Sequence, residues 1–209
     1  MSDLELYHYW RSSCSWRVRW ALNYKNVPYK DIAVNLVKGE QTKQDFLKKN
    51  PSGHVPCLLV GKQPLGESMA ILEWIEETYP KNPLLPKDPF SRAIVRQLAL
   101  TIAAGTQPIQ NLKVQKHIST DAKVGQKFAK YWIEQGLQVY EKIAAQHAGT
   151  YSFGGELTIA DLCLIPQVYN ALRFGVDMSQ FPISQRIYSH CRKLNSCVQA
   201  APESYQPAP

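Results

Sequence analysis

Two hydroxyl groups and a thiol follow one another near the start of the chain, at Ser12, Ser13 and Cys14. Helical spacing of apolar residues begins at this point and continues over residues 14–25. The three side chains are therefore predicted to lie at a helix N-terminus, where unpaired backbone N–H groups and the helix dipole favour an anion. Hydroxyl donors there would stabilise a thiolate, either that of Cys14 or that of a bound ligand. A serine-rich helix cap with Cys14 packed inside explains the same residues equally well.

Strand and helix signals alternate through the residues that must position this segment. Short apolar or alternating runs indicate strands, and apolar spacing of about 3.6 residues indicates helices. The strands are predicted at residues 4–10, 29–36, 56–60 and 64–65, and the helices at residues 14–25, 43–50 and 67–79. The order βαβαββα is typical of an α/β thioredoxin-like domain, in which the first βαβ unit is parallel and right-handed.

A proline-rich segment separates this region from a second one of different character. Four prolines fall within residues 80–89, which indicates a linker. The predicted domains are residues 1–80, a linker at 81–89, and an all-α domain at 90–209. Within the all-α domain, Thr158 and Asp161 have the spacing of a helix capping box, and Pro108 is expected to kink a long helix.

Composition and charge exclude several classes of function. The net charge is +7, but the basic residues are scattered and no nucleic-acid-binding motif accompanies them. No apolar run approaches the roughly 18 residues of a membrane span, and the N-terminal residues lack a secretory pattern, so we expect a cytoplasmic protein. The five cysteines show neither C-x-x-C nor zinc spacing, which predicts reduced thiols and no metal site.

The segment that starts at Ser12 resembles the serine–serine–cysteine signature of zeta-class glutathione transferases, the class that includes maleylacetoacetate isomerases. The signature is Ser12-Ser13-Cys14-Ser15-Trp16-Arg17-Val18-Arg19. Further segments match in order and spacing at residues 35–38, 50–51, 55–56, 67–71, 84–86, 107–112, 158–164 and 170–174. The resemblance covers residues 4–200 and implies a glutathione transferase fold, a glutathione cofactor and a homodimer.

Specific roles follow from the resemblance. Ser12 and Ser13 would face the glutathione sulfur, with Cys14 beside it. The other residues that the resemblance assigns to glutathione are Gln41, His54, Val55, Glu67, Ser68, Gln107 and Asn111. Gln41 is expected at the glycyl end, and Val55, before a cis Pro56, is expected to pair with the peptide of glutathione.

The γ-glutamyl end is assigned to Glu67 and Ser68 at another helix start. Many relatives carry glutamine at the position of Glu67, but a carboxylate can pair with the γ-glutamyl ammonium. His54 would contact the glycyl carboxylate or lie exposed in its loop. Gln107 and Asn111 would face the ligand or form ordinary polar helix surface.

Arg173 is expected to bind a substrate carboxylate, because its planar guanidinium matches a carboxylate with two hydrogen bonds. A surface ion pair is the alternative for Arg173, and Arg11 is a second candidate for the same role. The expected substrate is therefore a small anion, and neither nucleic acid nor membrane is expected as a partner.

The reaction that the resemblance implies is glutathione-dependent cis–trans isomerisation of a maleyl diacid. Maleylacetoacetate would become fumarylacetoacetate in tyrosine, phenylalanine or aromatic-acid catabolism. Thiolate addition makes the double bond single, rotation follows, and elimination restores a trans bond. The alternatives are a maleylpyruvate isomerase, a general glutathione transferase, a thiol transferase that uses Cys14, a haloacid dehalogenase, and a non-catalytic carrier.

Overall fold

Residues 3–207 are described by a computed structural model, in which the chain forms two units. Of the described residues, unit 1 comprises 3–83 together with 194–207, and unit 2 comprises Leu84–Lys193.

Unit 1 contains a four-stranded sheet whose strand order is β2-β1-β3-β4. The strands are β1 (Leu4–His8), β2 (Lys30–Ala33), β3 (Cys57–Val60) and β4 (Gln63–Leu65). The helices that alternate with them are α1 (Ser13–Tyr24), α2 (Gln44–Leu47), preceded by a 3₁₀ turn at Glu40–Thr42, and α3 (Ser68–Thr78). β1 pairs in parallel with β2 and antiparallel with β3, so the predicted βαβαββα order and parallel first unit are confirmed.

Unit 2 is helical. Its helices are α4 (Pro89–Ala103), α5 (Leu112–Ile118), α6 (Ala122–Ala144), α7 (Ile159–Arg173) and α8 (Pro182–Cys191), with a 3₁₀ turn at Met178–Gln180. α7 is buried along most of its length and packs against α4, α6 and α8, which makes it the centre of this unit. Across residues 3–207, none of the helices combines the length and apolar character needed to cross a membrane.

The C-terminal helices α9 (Asn195–Ala200) and α10 (Pro202–Tyr205) belong to unit 1, whereas the prediction kept residues 90–209 in one helical domain. Hydrogen bonds attach them to α1 and to the chain before β2. Arg19 Nε donates to the carbonyl of Ala200 at 2.9 Å, and Trp20 Nε1 donates to Ser196 Oγ at 3.1 Å. The hydroxyls of Tyr29 and Tyr205 are 2.8 Å apart.

The expectation that Pro108 kinks a long helix is wrong. α4 ends at Ala103, and α5 starts again only at Leu112, so Pro108 lies in the turns between two separate helices. A proline inside a helix removes a backbone donor and clashes with the preceding turn. The chain instead leaves α4 through a wide turn in which the Gln107 N–H donates to the carbonyl of Ile102 at 2.8 Å.

Candidate functional site

Ser12 caps the N-terminus of α1, as its position predicted. Its backbone is extended (φ −70°, ψ 123°), and its Oγ accepts a hydrogen bond from the Ser15 N–H at 3.2 Å. This contact uses the hydroxyl oxygen as an acceptor and leaves its hydrogen able to donate to another group. A cap and an anion-binding hydroxyl are therefore compatible roles for Ser12.

Ser13 and Cys14 form the first turn of α1. Ser13 is buried and Cys14 is half-buried. Cys14 Sγ lies 3.7 Å from Nη1 of Arg17, one turn further along the helix. The cysteines of the chain are all thiols, and the other four are buried.

The loop before β3 presents an unpaired peptide. The Val55–Pro56 bond is cis, as the resemblance implied. Within residues 3–207, neither the N–H nor the C=O of Val55 has a hydrogen-bond partner. The loop is held by the buried side chain of Asn50, whose Nδ2 donates to the carbonyl of His54 at 2.8 Å and whose Oδ1 accepts from Ser52 Oγ at 2.9 Å.

The N-terminus of α3 carries Glu67 and Ser68. Glu67 adopts φ 59° and ψ 111°, and no side chain caps this helix. A non-glycine residue in such a conformation costs about 1–3 kcal/mol, a strain that is concentrated at functional sites. Ser68 is buried, and its Oγ accepts a hydrogen bond from Arg17 Nη1 at 3.2 Å. The amides at this helix start form a natural site for an anion.

Gln41 and His54 differ in their surroundings. Gln41 lies in the 3₁₀ turn, and its buried Oε1 has no hydrogen-bond partner among the described residues. A buried acceptor without a partner is uncommon, and it indicates a place where a ligand or water donates. The side chain of His54 is exposed.

Three contacts connect these segments of unit 1. Arg17 Nη1 connects the starts of α1 and α3, because it lies near both Cys14 and Ser68. The side chain of Asn50 lies against Gly66, directly before Glu67, where an added Cβ would be 3.3 Å away. A Cβ on Gly53 would lie 3.4 Å from the carbonyl oxygen of Gln41. These contacts link the segments that carry Cys14, Gln41, Val55, Glu67 and Ser68.

The predicted residues of unit 2 lie on two of its elements. Arg173 is exposed at the end of α7, and its Nη1 donates to Asn170 Oδ1 at 3.1 Å. Asn111 caps α5, with Oδ1 accepting from the Lys113 N–H at 3.1 Å, and Gln107 is half-buried in the preceding turns. In unit 1, the exposed Arg11 places Cζ 5.2 Å from the centroid of the Trp10 ring.

The described residues contain no group of three or more histidine, cysteine or acidic side chains that could hold a metal ion. The arrangement is instead one of hydroxyls, backbone amides and a cis-proline loop.

Comparison with known families identifies this arrangement. Residues 2–77 match the glutathione S-transferase N-terminal domain, and residues 106–203 match the glutathione S-transferase C-terminal domain. A relative named probable maleylacetoacetate isomerase 2, from Drosophila melanogaster, is 44% identical over 99% of this chain and 91% of its own length. The chain belongs to the glutathione S-transferase family. Its similarity to proteins named maleylacetoacetate isomerase and zeta-class transferase places it in the zeta class.

Two solved structures show how close this transferase is to the class. A bacterial maleylpyruvate isomerase of the zeta class superposes with a TM-score of 0.94 at 39% identity, over 98% of this chain and 100% of the other. The maleylacetoacetate isomerase of Anaeromyxobacter dehalogenans 2CP-1, solved with glutathione in its active site, superposes with a TM-score of 0.90 at 40% identity. The match covers 99% of this chain and 98% of the other. The transferase fold predicted from the sequence is confirmed.

Two residues that help to build the site were missed by sequence reasoning. Arg17 was treated only as part of the helical period and of the signature, and Asn50 only as the end of a predicted helix and part of a matching segment. The available signal for Arg17 was its spacing, three residues after Cys14, which places both side chains on one face of a helix. No spacing relates Asn50 to Gly66, because that contact is made only in the fold.

Proposed function

We propose that this transferase uses glutathione to convert maleylacetoacetate to fumarylacetoacetate, a cis–trans isomerisation of a maleyl diacid. The substrate class rests on the relatives, which carry the name maleylacetoacetate isomerase at up to 46% identity. Glutathione as the cofactor is supported by one observation: the unpaired N–H and C=O of Val55 lie in the same unit as the N-termini of α1 and α3.

The residues of unit 1 fit the parts of glutathione one by one. The N–H and C=O of Val55 would pair with its peptide, and Ser68 with the amides of α3 would bind the γ-glutamyl carboxylate. Glu67, exposed beside them, would pair with the γ-glutamyl ammonium. Gln41 and His54 would contact the glycyl end, where the unpaired Oε1 of Gln41 could accept from the ligand's N–H.

The chemistry that glutathione supplies when bound is a thiolate that adds to the conjugated double bond and leaves after rotation. Ser12 would donate its hydroxyl hydrogen to the sulfur anion while its oxygen caps α1. Ser13 and the amides of the first turn add to this stabilisation, and neither hydroxyl forms a lasting bond to sulfur. We propose that Arg173 and Arg11 bind substrate carboxylates, and that Gln107 and Asn111 contribute polar contacts.

An absorbance assay tests this function directly. Ultraviolet loss of maleylacetoacetate and of maleylpyruvate is followed with and without glutathione. We expect glutathione-dependent loss of maleylacetoacetate. Faster turnover of maleylpyruvate would instead make maleylpyruvate the substrate, as the name of the bacterial structural relative suggests. Glutathione binding without turnover of either acid would contradict the isomerase and favour thiol transfer or dehalogenation.

Ser12→Ala tests the role of the cap hydroxyl. Removing one preorganised donor to a developing or bound anion lowers kcat by about 10²–10³. Asp88→Ala is the matched control, because Asp88 caps α4 in the same way, accepting from the Ser91 N–H at 2.7 Å. Both variants lose a helix cap, so a fall in kcat confined to Ser12→Ala assigns the effect to chemistry. Equal kcat in both variants would refute the role.

Cys14→Ser separates isomerisation from thiol transfer through Cys14. The exchange keeps a small polar group beside Arg17 and removes the nucleophilic thiol. Isomerase activity should remain within about threefold, whereas any thiol transfer through Cys14 should disappear. Loss of isomerase activity would show that the cysteine, and not the serine pair, carries the reaction.

We further propose that the transferase works as a homodimer in the cytoplasm, in the breakdown of tyrosine and phenylalanine. Large exposed apolar side chains support a second copy as partner, among them Phe90 at 74% and Leu112 at 61% exposure. Light scattering should give about twice the chain mass of 23.7 kDa, and cell fractionation should find the protein in the cytoplasm. A species of 23.7 kDa alone would contradict the dimer.

A further inference from the structure

Arg17 is a buried cation with unused hydrogen-bond donors. Its exposure is 1%, and among the described residues its Nη1 donates only to Ser68 Oγ and Cys14 Sγ. Its Nε and Nη2 are buried and have no hydrogen-bond partner among residues 3–207. A guanidinium keeps its charge at neutral pH, and a buried charge is costly unless it is paired. The protein leaves this charge unbalanced beside the start of α3.

Arg19, on the same helix, is a buried arginine whose three side-chain nitrogens all have hydrogen-bond partners. It is fully buried, and its guanidinium contacts the carbonyls of Ala200, Tyr9 and Trp10 and the Nδ1 of His8. These partners account for all three of its nitrogens. Arg19 therefore holds the unit together and needs no ligand, whereas the two unpaired nitrogens of Arg17 have no such structural explanation.

The contact with Arg17 determines what Ser68 can do. A guanidinium only donates, so the Ser68 oxygen must accept the 3.2 Å hydrogen bond. The hydroxyl hydrogen of Ser68 is then directed away from Arg17 and acts as a donor. Because Ser68 begins α3, this hydrogen lies at a helix N-terminus, where the helix dipole favours an anion.

We propose that Arg17 is a positioning residue for the γ-glutamyl carboxylate of glutathione: it fixes Ser68 as a hydrogen-bond donor, and the bound carboxylate balances its buried charge. Its nitrogens are too buried to touch the ligand, so it acts through Ser68 and through its charge. This inference rests on the proposed function, because it needs glutathione as the ligand of unit 1.

Calorimetry with two ligands tests the proposal. One ligand is glutathione, and the other is 4-aminobutanoyl-cysteinylglycine, which lacks only the γ-glutamyl carboxylate. The readout is the ratio of the two Kd values, which a general loss of stability would not change. Arg17→Met should lower the preference for glutathione about tenfold, or roughly 1.4 kcal/mol, and leave the Kd of the analogue within about twofold.

A double-mutant cycle tests whether the effect passes through Ser68. Ser68→Ala should lower the preference for glutathione, and Arg17→Met added to it should cause less loss than in the wild type. Arg19→Met is the matched control: it removes an equally buried arginine and should leave the ratio within about twofold of wild type. If Arg17→Met does not fold, Arg17→Lys decides, because a lysine keeps the charge but loses the fork and should lower the ratio at least about threefold.

The outcomes separate this inference from the function on which it rests. If the wild type binds neither ligand, the proposed function fails, and the role of Arg17 fails with it. If the wild type prefers glutathione but Arg17→Met weakens both ligands equally, or an Arg17→Lys ratio equals that of wild type, only the role of Arg17 is refuted. If the two single substitutions and the double substitution lower the preference for glutathione by factors that simply multiply, Arg17 does not act through Ser68.

Discussion

Asp161→Asn should destabilise unit 2 although the substitution hardly changes shape. The carboxylate of Asp161 is fully buried and accepts hydrogen bonds from Ser152 and Thr158. The Ser152 N–H donates to Oδ1 at 2.8 Å, and the N–H and hydroxyl of Thr158 donate to Oδ2 at 2.9 and 3.1 Å. The Thr158 N–H contact is the half of the predicted capping box that Asp161 supplies.

The magnitude follows from the number of acceptors. An amide offers an oxygen on one side only, so its NH₂ group must face the donors on the other side. At best the amide oxygen serves Thr158 and leaves the Ser152 N–H buried without a partner. An unsatisfied buried donor costs about 1–3 kcal/mol, so we expect the free energy of unfolding to fall by that amount at neutral pH.

The pH dependence tests which physical effect dominates at Asp161. Burial raises the pKa of its carboxyl group above the ordinary value, although the hydrogen bonds from Ser152 and Thr158 oppose this shift. The folded state therefore binds a proton at a pH where the unfolded state does not. Wild-type stability from this group is full below the unfolded pKa and decreases as pH rises through the folded pKa. Because asparagine does not titrate, the stability gap between wild type and variant should widen as pH falls.

Asp88→Asn is the control, because the pKa of Asp88 is shifted in the opposite direction to that of Asp161. Hydrogen bonds from Ser91 hold the pKa of the exposed Asp88 carboxyl group below its ordinary value. Its stabilising effect is present above the unfolded pKa and is lost as pH falls toward the folded pKa. The gap between wild type and Asp88→Asn should therefore narrow on acidification.

Urea unfolding followed by tryptophan fluorescence, from about pH 7 to pH 4, measures both gaps. A gap for Asp161→Asn that narrows on acidification would show that hydrogen bonding outweighs desolvation at this carboxylate. A neutral-pH loss no larger than that of Asp88→Asn would refute the argument from buried donors.

Two further substitutions test the packing of each unit by chemical denaturation. Gly136→Ala would bring its Cβ into a clash with the side chain of Thr106, so we expect the free energy of unfolding to fall by about 1–3 kcal/mol. Gly155→Ala, whose Cβ meets no atom within 4 Å, should be nearly neutral, and equal effects of the two substitutions would contradict the packing. Lys25→Met removes a buried ion pair with Glu76 and the donor to three backbone carbonyls, so the free energy of unfolding should fall by about 3–5 kcal/mol. A loss below about 1 kcal/mol would show that these contacts of Lys25 contribute little to stability.

Much of unit 1 could be predicted because its signals are local. The serine pair before an apolar helical period predicted the start of α1 to within one residue, since a cap and its helix are neighbours in sequence. The Thr158 and Asp161 spacing likewise predicted a helix start in unit 2. Residues 4–10 were expected to form a strand, and β1 ends earlier, at His8, because the chain turns there toward the Ser12 cap.

Sequence reasoning stopped short where a local pattern gives no information about where a helix ends or which unit a segment packs against. A long helix was expected around Pro108, and nothing in the local sequence showed that α4 ends at Ala103. The C-terminal segment looked helical, but its attachment to unit 1 depends on contacts such as Arg19 with Ala200, which are 181 residues apart. No window of sequence contains both partners of such a contact.

The two arginines of α1 show where sequence reasoning about the site reaches its end. Arg17 and Arg19 have the same chemistry, are both buried, and are two residues apart, which places them about 200° apart around the helix. One side chain meets enough acceptors in unit 1, and the other does not. Burial and charge are the same for both residues. Only the unpaired donors of Arg17 distinguish it, as a residue that positions the binding site for an anion, from Arg19, which stabilises the fold. That distinction depends on a contact between Arg17 and Ser68, which are 51 residues apart in sequence. It can therefore be made only from the folded structure.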